Sequence, residues 1–144
     1  KVTSIKDNSA ELTIKKLNEG VLSIIKEHTE KDRKVILEDD FVFDQSKHDF
    51  SEELVKNALS NGLHLEDKHL YPENPDKKHK GKNYYCIYKY KKYVLSINYL
   101  LISYLKKLQK IVLFHIAHLN FGSEEQRKYE EIQKSLKNFS SKKT

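Results

Sequence analysis

The sequence has 144 residues, 38% of them hydrophobic and 33% charged, with four glycines, two prolines and a net charge of +6. That length suits a single domain, and the apolar share is too high for a disordered chain. The longest charge-free apolar stretch, Tyr93 to Leu105, is well short of the roughly 18 to 20 residues that cross a bilayer, and Cys86, the only cysteine, excludes a disulfide within the chain.

Lys1 opens the chain and no methionine occurs. This fits a single helical domain, residues 1–144, excised from a larger or processed protein; a cell-surface or secreted setting is favoured, with an intracellular one as the alternative. The charge is segregated. Residues 1–76 carry net −6, residues 77–123 carry ten lysines and no carboxylate, and residues 124–144 carry net +2.

Asn8 followed by Glu11 has capping-box spacing, and Leu17, Val21, Ile24 and His28 continue at steps of four, three and four. Together they predict an amphipathic helix from about 9 to 29, weakened at Gly20. "KVILEDDFVFD", from Lys34 to Asp44, sets two apolar triplets around an acidic centre. No helical face collects them, so residues from about 34 to 45 are expected to be a non-helical insert. Asp49 with Glu52 gives a second capping box, and Asn61-Gly62 offers a left-handed stop. A helix over 50–61 should therefore bury Leu54, Val55, Ala58 and Leu59.

Residues 62 to 83 hold Pro72, Pro75 and Gly81 among lysines and histidines, and they read as a long exposed loop, the first place to look for binding. Beyond it, Ile87, Val94, Leu101, Leu105, Leu108, Val112, His115 and Leu119 follow steps of seven, seven, four, three, four, three and four. That seam predicts one buried helix from about 84 to 120, ~55 Å long at 1.5 Å per residue. Gly122 ends it, Ser123 and Gln126 cap a last helix, and Tyr129, Ile132, Leu136 and Phe139 form that helix's stripe. The expected fold is all-α, an irregular four-helix bundle around one long central helix.

"KKHKGKNYYCIYKYKKY", residues 77 to 93, is the densest run of lysine and tyrosine. As a helix start it would place Tyr84 and Tyr88 one turn apart and Lys89 and Lys92 on a polar stripe. As an alternating strand it is acceptable by propensity, but the seam continuing from Ile87 argues for helix. As a surface it offers lysines that steer anions and tyrosines that act as rigid anchors. The candidate binding residues are Lys77, Lys78, Lys80, Lys82, Tyr84, Tyr85, Tyr88, Lys89 and Lys92.

Enzyme chemistry finds no foothold. The chain has no P-loop, GxGxxG, GxSxG or HExxH, and no histidine stands in a recognisable relation to Cys86, so catalytic residues and cofactors are not expected. His115 and His118 would share one helix face without a third ligand nearby, and Glu66 with His69 is a lone Glu-x-x-His, so no metal site is assigned.

The functional expectation is a non-enzymatic helical interaction domain, adhesin-like or host-factor-binding. Its partner would be a protein or an anionic polymer: a glycosaminoglycan, a nucleic acid or an acidic protein. Sequence-nonspecific nucleic-acid binding is the first alternative, since arginine is missing from 77–123 and nothing there reads base edges. An assembly module that associates with itself is the second.

Overall fold

The computed structural model describes residues 9–30, 36–37, 39–71, 83–104 and 108–141. It overturns the all-α bundle. The region from 84 to 120 is not a helix but three antiparallel strands, β3 (Asn83–Tyr90), β4 (Tyr93–Tyr104) and β5 (Leu108–His118). Tyrosine, isoleucine, valine and leucine dominate these strands, and such side chains pack well on a pleated surface. Lys91 and Lys92 make the two-residue turn between β3 and β4, where Tyr90 pairs with Tyr93. Lys91 sits at φ 51, in the left-handed region that a lysine enters only at some cost.

The other elements are α1 (Ser9–Glu30), β1 (Ile36–Leu37), α2 (Asp39–Lys47), α3 (Glu52–Asn61), β2 (Leu63–Glu66), α4 (Asp67–Leu70) and α5 (Glu124–Ser141). The strands form one sheet in the order β1-β5-β4-β3-β2, antiparallel throughout β2 to β5 and parallel where β1 joins β5. Two further expectations change with it. The insert at 34–45 contains β1 but is then helical from Asp39, and the expected loop at 62–83 opens with β2 and α4; its remainder, 72–82, lies outside the described residues.

Both faces of the sheet are covered, and β3 and β4 bury apolar residues on both sides. On one face Cys86, Leu95, Ile97, Tyr99, Leu113 and Ile116 pack with Val21 of α1, Phe41 of α2 and Val55, Ala58 and Leu59 of α3. On the other, Tyr85, Ile87 and Val94 pack with Leu70 and with Tyr129, Ile132 and Leu136 of α5. The β4–β5 register slips by one residue where Asn98 pairs with His115 and Tyr99 with Leu113, as at a β-bulge.

α1 also guards the free edge of β2. His64 N–H donates to Asn18 Oδ1 at 2.7 Å and Asn18 Nδ2 donates to His64 O at 2.9 Å. One side-chain amide thus replaces the next strand of the ladder, protecting an edge that could otherwise pair with another chain.

The helix ends depart from expectation in informative ways. α3 is capped by Ser51, whose hydroxyl accepts from Leu54 N–H at 3.1 Å, not by Asp49. Gly62 has φ −75, so left-handed freedom is not its use. Space is: a Cβ there would lie 2.5 Å from Ala58 O and 2.6 Å from Cys86 Sγ. At α5, Gln126 N–H donates to Ser123 Oγ at 3.2 Å, and the Gln126 side chain accepts from Gly122 N–H at 2.8 Å, which turns the chain at φ +73. Asn8, the expected cap of α1, lies outside the described residues.

Candidate interaction surface

Two tyrosine–histidine pairs lie on the sheet face that α1 to α3 cover. The inner pair is His64 of β2 and Tyr99 of β4, both fully buried. His64 Nε2 is 2.9 Å from Leu59 O, and Nδ1 is 2.8 Å from Tyr99 OH. A carbonyl only accepts, so the imidazole proton is on Nε2 and Nδ1 receives the tyrosine hydroxyl. Burial holds this ring neutral, lowering its pKa from 6.5 to about 4.

Cys86 stands beside it, with Sγ 3.9 Å from His64 Nε2 and donating to Ala58 O at 3.0 Å. Sequence spacing gave no hint of this neighbour, because β2 and β3 align them across the sheet, His64 opposite Cys86. A cysteine beside a histidine invites a catalytic reading. Chemistry argues against it: burial pushes the thiol well above its usual range and the histidine below its own, whereas nucleophilic catalysis needs a thiolate and an accessible base.

The outer pair lies where the β3–β4 hairpin turns. The Tyr90 hydroxyl meets His118 Nε2. Tyr93 stacks on His118 with centroids 4.9 Å apart, Phe50 meets the same imidazole edge-on at 4.9 Å, and Tyr88 and Tyr90 lie nearly parallel at 6.0 Å. Such arrangements favour each ring beyond its burial alone. Lys92 Nζ is 5.6 Å from the Tyr93 ring centroid, within cation–π range.

Lys89, Lys91 and Lys92 are exposed. Among the described residues none of them pairs with a carboxylate. Phe121, 68% exposed, follows just beyond Leu119, whose N–H donates to Val94 O at 2.8 Å, so it belongs to the same end of the sheet.

The nine candidate residues are therefore not one patch. Tyr88, Lys89 and Lys92 gather at the hairpin end, while Tyr84 and Tyr85 start β3 about five strand positions away, roughly 17 Å at 3.3 Å per residue. Tyr85 is structural, donating to Asp67 Oδ1 at 2.9 Å, and Tyr84 stacks on Tyr99. Lys77, Lys78, Lys80 and Lys82 lie outside the described residues. Sequence reasoning missed Tyr90, Lys91, Tyr93, His118 and Phe50. The hairpin pairing of Tyr90 with Tyr93 was the one signal available; His118 and Phe50 arrive only through the tertiary fold.

Two other histidines, His115 and His69, find local work. His115 and His118 stand three apart on a strand, which turns them to opposite faces, and His115 bonds Asp44 of α2 at 2.8 Å. His69 Nδ1 accepts from Glu66 N–H at 3.0 Å, so Glu66-x-x-His69 caps α4. Among the described residues no group of three metal-ligating side chains occurs, and no helix is long and apolar enough to cross a membrane.

The fold and the hairpin end define a mixed five-stranded sheet between helical layers, with an aromatic and basic outer corner. In comparison with known proteins, no family model matches the chain, and neither does any curated protein or solved structure.

Proposed function

We propose that this chain is a non-enzymatic interaction domain that holds an anionic partner at the β3–β4 hairpin end. One observation carries the reading: the rings of Tyr88, Tyr90, Tyr93 and His118 are fixed by mutual packing beside the exposed turn lysines Lys91 and Lys92. Pre-packed aromatic anchors lose little conformational freedom on binding, and exposed lysines set approach rate and salt sensitivity. The neutral, enclosed state of Cys86 and His64 supports the non-enzymatic part.

The test is retention of the full chain on immobilised heparin and on immobilised DNA across a salt series, with solution mass measured alongside. Binding at low salt that is released as salt rises agrees with the proposal, and the stronger matrix identifies the class of anion. Passage through both at low salt, with a mass that grows with concentration, would favour self-assembly instead.

A further inference from the structure

Two tight turns lie at the same end of the sheet. The first is the β3–β4 hairpin turn, with Lys91 and Lys92 at its corners. The second closes where Ser123 N–H donates to Asn120 O at 3.1 Å, with Gly122 in its third position at φ 73, the positive φ that a type II turn requires there. Phe121 is therefore its outer corner. β5 runs antiparallel to β4, and Leu119 N–H donates to Val94 O at 2.8 Å, so the two residues that follow carry the chain level with the hairpin turn.

Phe121 is 68% exposed, whereas Leu12, Leu22 and Val42 show 38 to 44% on helices whose inner faces are packed. A phenyl ring held in water forgoes the free energy of burial, and the turn itself does not ask for one, since most residues suit its second position. Tyr93 beside it is 36% exposed, and Lys91 and Lys92 are exposed. Two carboxylates belong to neighbouring segments, Asp49 before Phe50 and Glu124 at the start of α5, while Glu125 receives the Tyr71 hydroxyl at 3.4 Å. Among the described residues neither Asp49 nor Glu124 forms an ion pair with the turn lysines.

An apolar tip, an amphipathic ring and a pair of cations repeat the layers of a bilayer surface: acyl chains, the interface where tyrosine resides, and anionic headgroups. We infer that the two turns dock this chain on an anionic lipid bilayer. Phe121 enters the acyl boundary, Tyr93 stays at headgroup level, and Lys91 and Lys92 meet lipid phosphates. The inference rests on the hairpin reading above and names its partner. Heparin offers a phenyl ring no apolar surface to enter, and duplex DNA keeps its bases stacked inside, so neither makes use of Phe121. Single-stranded nucleic acid, whose bases are open to stacking, is the competing occupant.

The experiment is sedimentation of the full chain with vesicles of equimolar phosphatidylserine and phosphatidylcholine, and with phosphatidylcholine alone, beside heparin elution and binding to oligodeoxythymidylate. The mixed vesicles should bind the chain and the neutral ones should not. Phe121→Ser should weaken vesicle binding at least about tenfold with heparin elution unchanged, and the double variant Lys91→Gln, Lys92→Gln should weaken both. Phe121→Trp gives a chain that has no tryptophan of its own a single reporter, whose emission should shift to the blue on mixed vesicles even if the serine variant folds poorly. Full vesicle binding by Phe121→Ser, equal binding to neutral vesicles, or an unshifted tryptophan would overturn the inference. Heparin retention without vesicle binding would overturn it and leave the hairpin reading standing; Phe121-dependent binding to the oligonucleotide in place of vesicles would assign single-stranded nucleic acid instead. Binding to none of the three would end both.

Discussion

His64–Tyr99 and His118–Tyr90 join the same two side-chain types on the same face of one sheet, yet they stand in opposite physical conditions. The inner pair is sealed, with each polar atom of the imidazole committed to one partner. The outer imidazole is exposed and shared among Tyr90, Tyr93 and Phe50. A sealed pair contributes to stability because removing one partner strands the other in a dry interior. An exposed pair of the same composition contributes little to stability and leaves its aromatic area facing solvent. Burial, and not residue type, therefore divides the structural pair from the solvent-facing one.

The sharpest way to break this contrast is substitution at each histidine. His64→Ala strands the Tyr99 hydroxyl and Leu59 carbonyl and opens a cavity, and it should cost roughly 3 to 5 kcal/mol in denaturant unfolding. His118→Ala should shift the midpoint far less. Comparable losses at the two sites would erase the distinction.

Acid should act mainly through the inner pair. Unfolded, His64 takes a proton near pH 6.5; folded, it resists until about pH 4. Between those values the unfolded chain binds more protons, so stability falls as pH falls, by up to about 3 kcal/mol from this group. His69 and His118 are also lowered by burial and act in the same direction. Melting temperature measured from pH 7.5 down to 4.5 should decline, and in a folded His64→Gln variant the decline should flatten.

Two backbone positions refine the picture at smaller cost. Gly62→Ala pushes a Cβ against Ala58 O and Cys86 Sγ at an otherwise acceptable φ, so the loss, roughly 1 to 3 kcal/mol, is one of overpacking. Lys91→Gly relieves the left-handed turn and should stabilise by a few tenths to about 1 kcal/mol in thermal melts, unless glycine's looser unfolded chain offsets it. A clear stabilisation would show that the turn keeps lysine at the expense of stability, as contact residues commonly are kept.

The sequence made α1, α3 and α5 legible, because caps and a 3.6-residue period mark helices that are covered on one side: Ser123 with Gln126, and Val55, Ala58 and Leu59 facing the sheet. β3 to β5 were hidden for a physical reason. With helices on both faces, Ile87, Val94, Leu95 and Ile97 are all buried, so the alternation that betrays a half-exposed strand is gone. What remained could also be threaded by a helical seam. The hairpin turn gave no warning either, since Lys91-Lys92 stands where glycine or asparagine is usual. Of the candidate surface, Tyr88, Lys89 and Lys92 were legible as an aromatic and basic cluster; Phe50 and His118 were not, because they meet it from the segment between α2 and α3 and from the end of β5.

The central claim is that the hairpin end makes contacts while the buried pair holds the fold. It is tested most directly by comparing the double variant Lys91→Glu, Lys92→Glu with the wild type in salt elution from heparin and in thermal melting. The account predicts that elution moves to markedly lower salt while the melting temperature stays within a few degrees, as surface substitutions usually allow. Unchanged elution, or elution lost only together with the folded state, would contradict it.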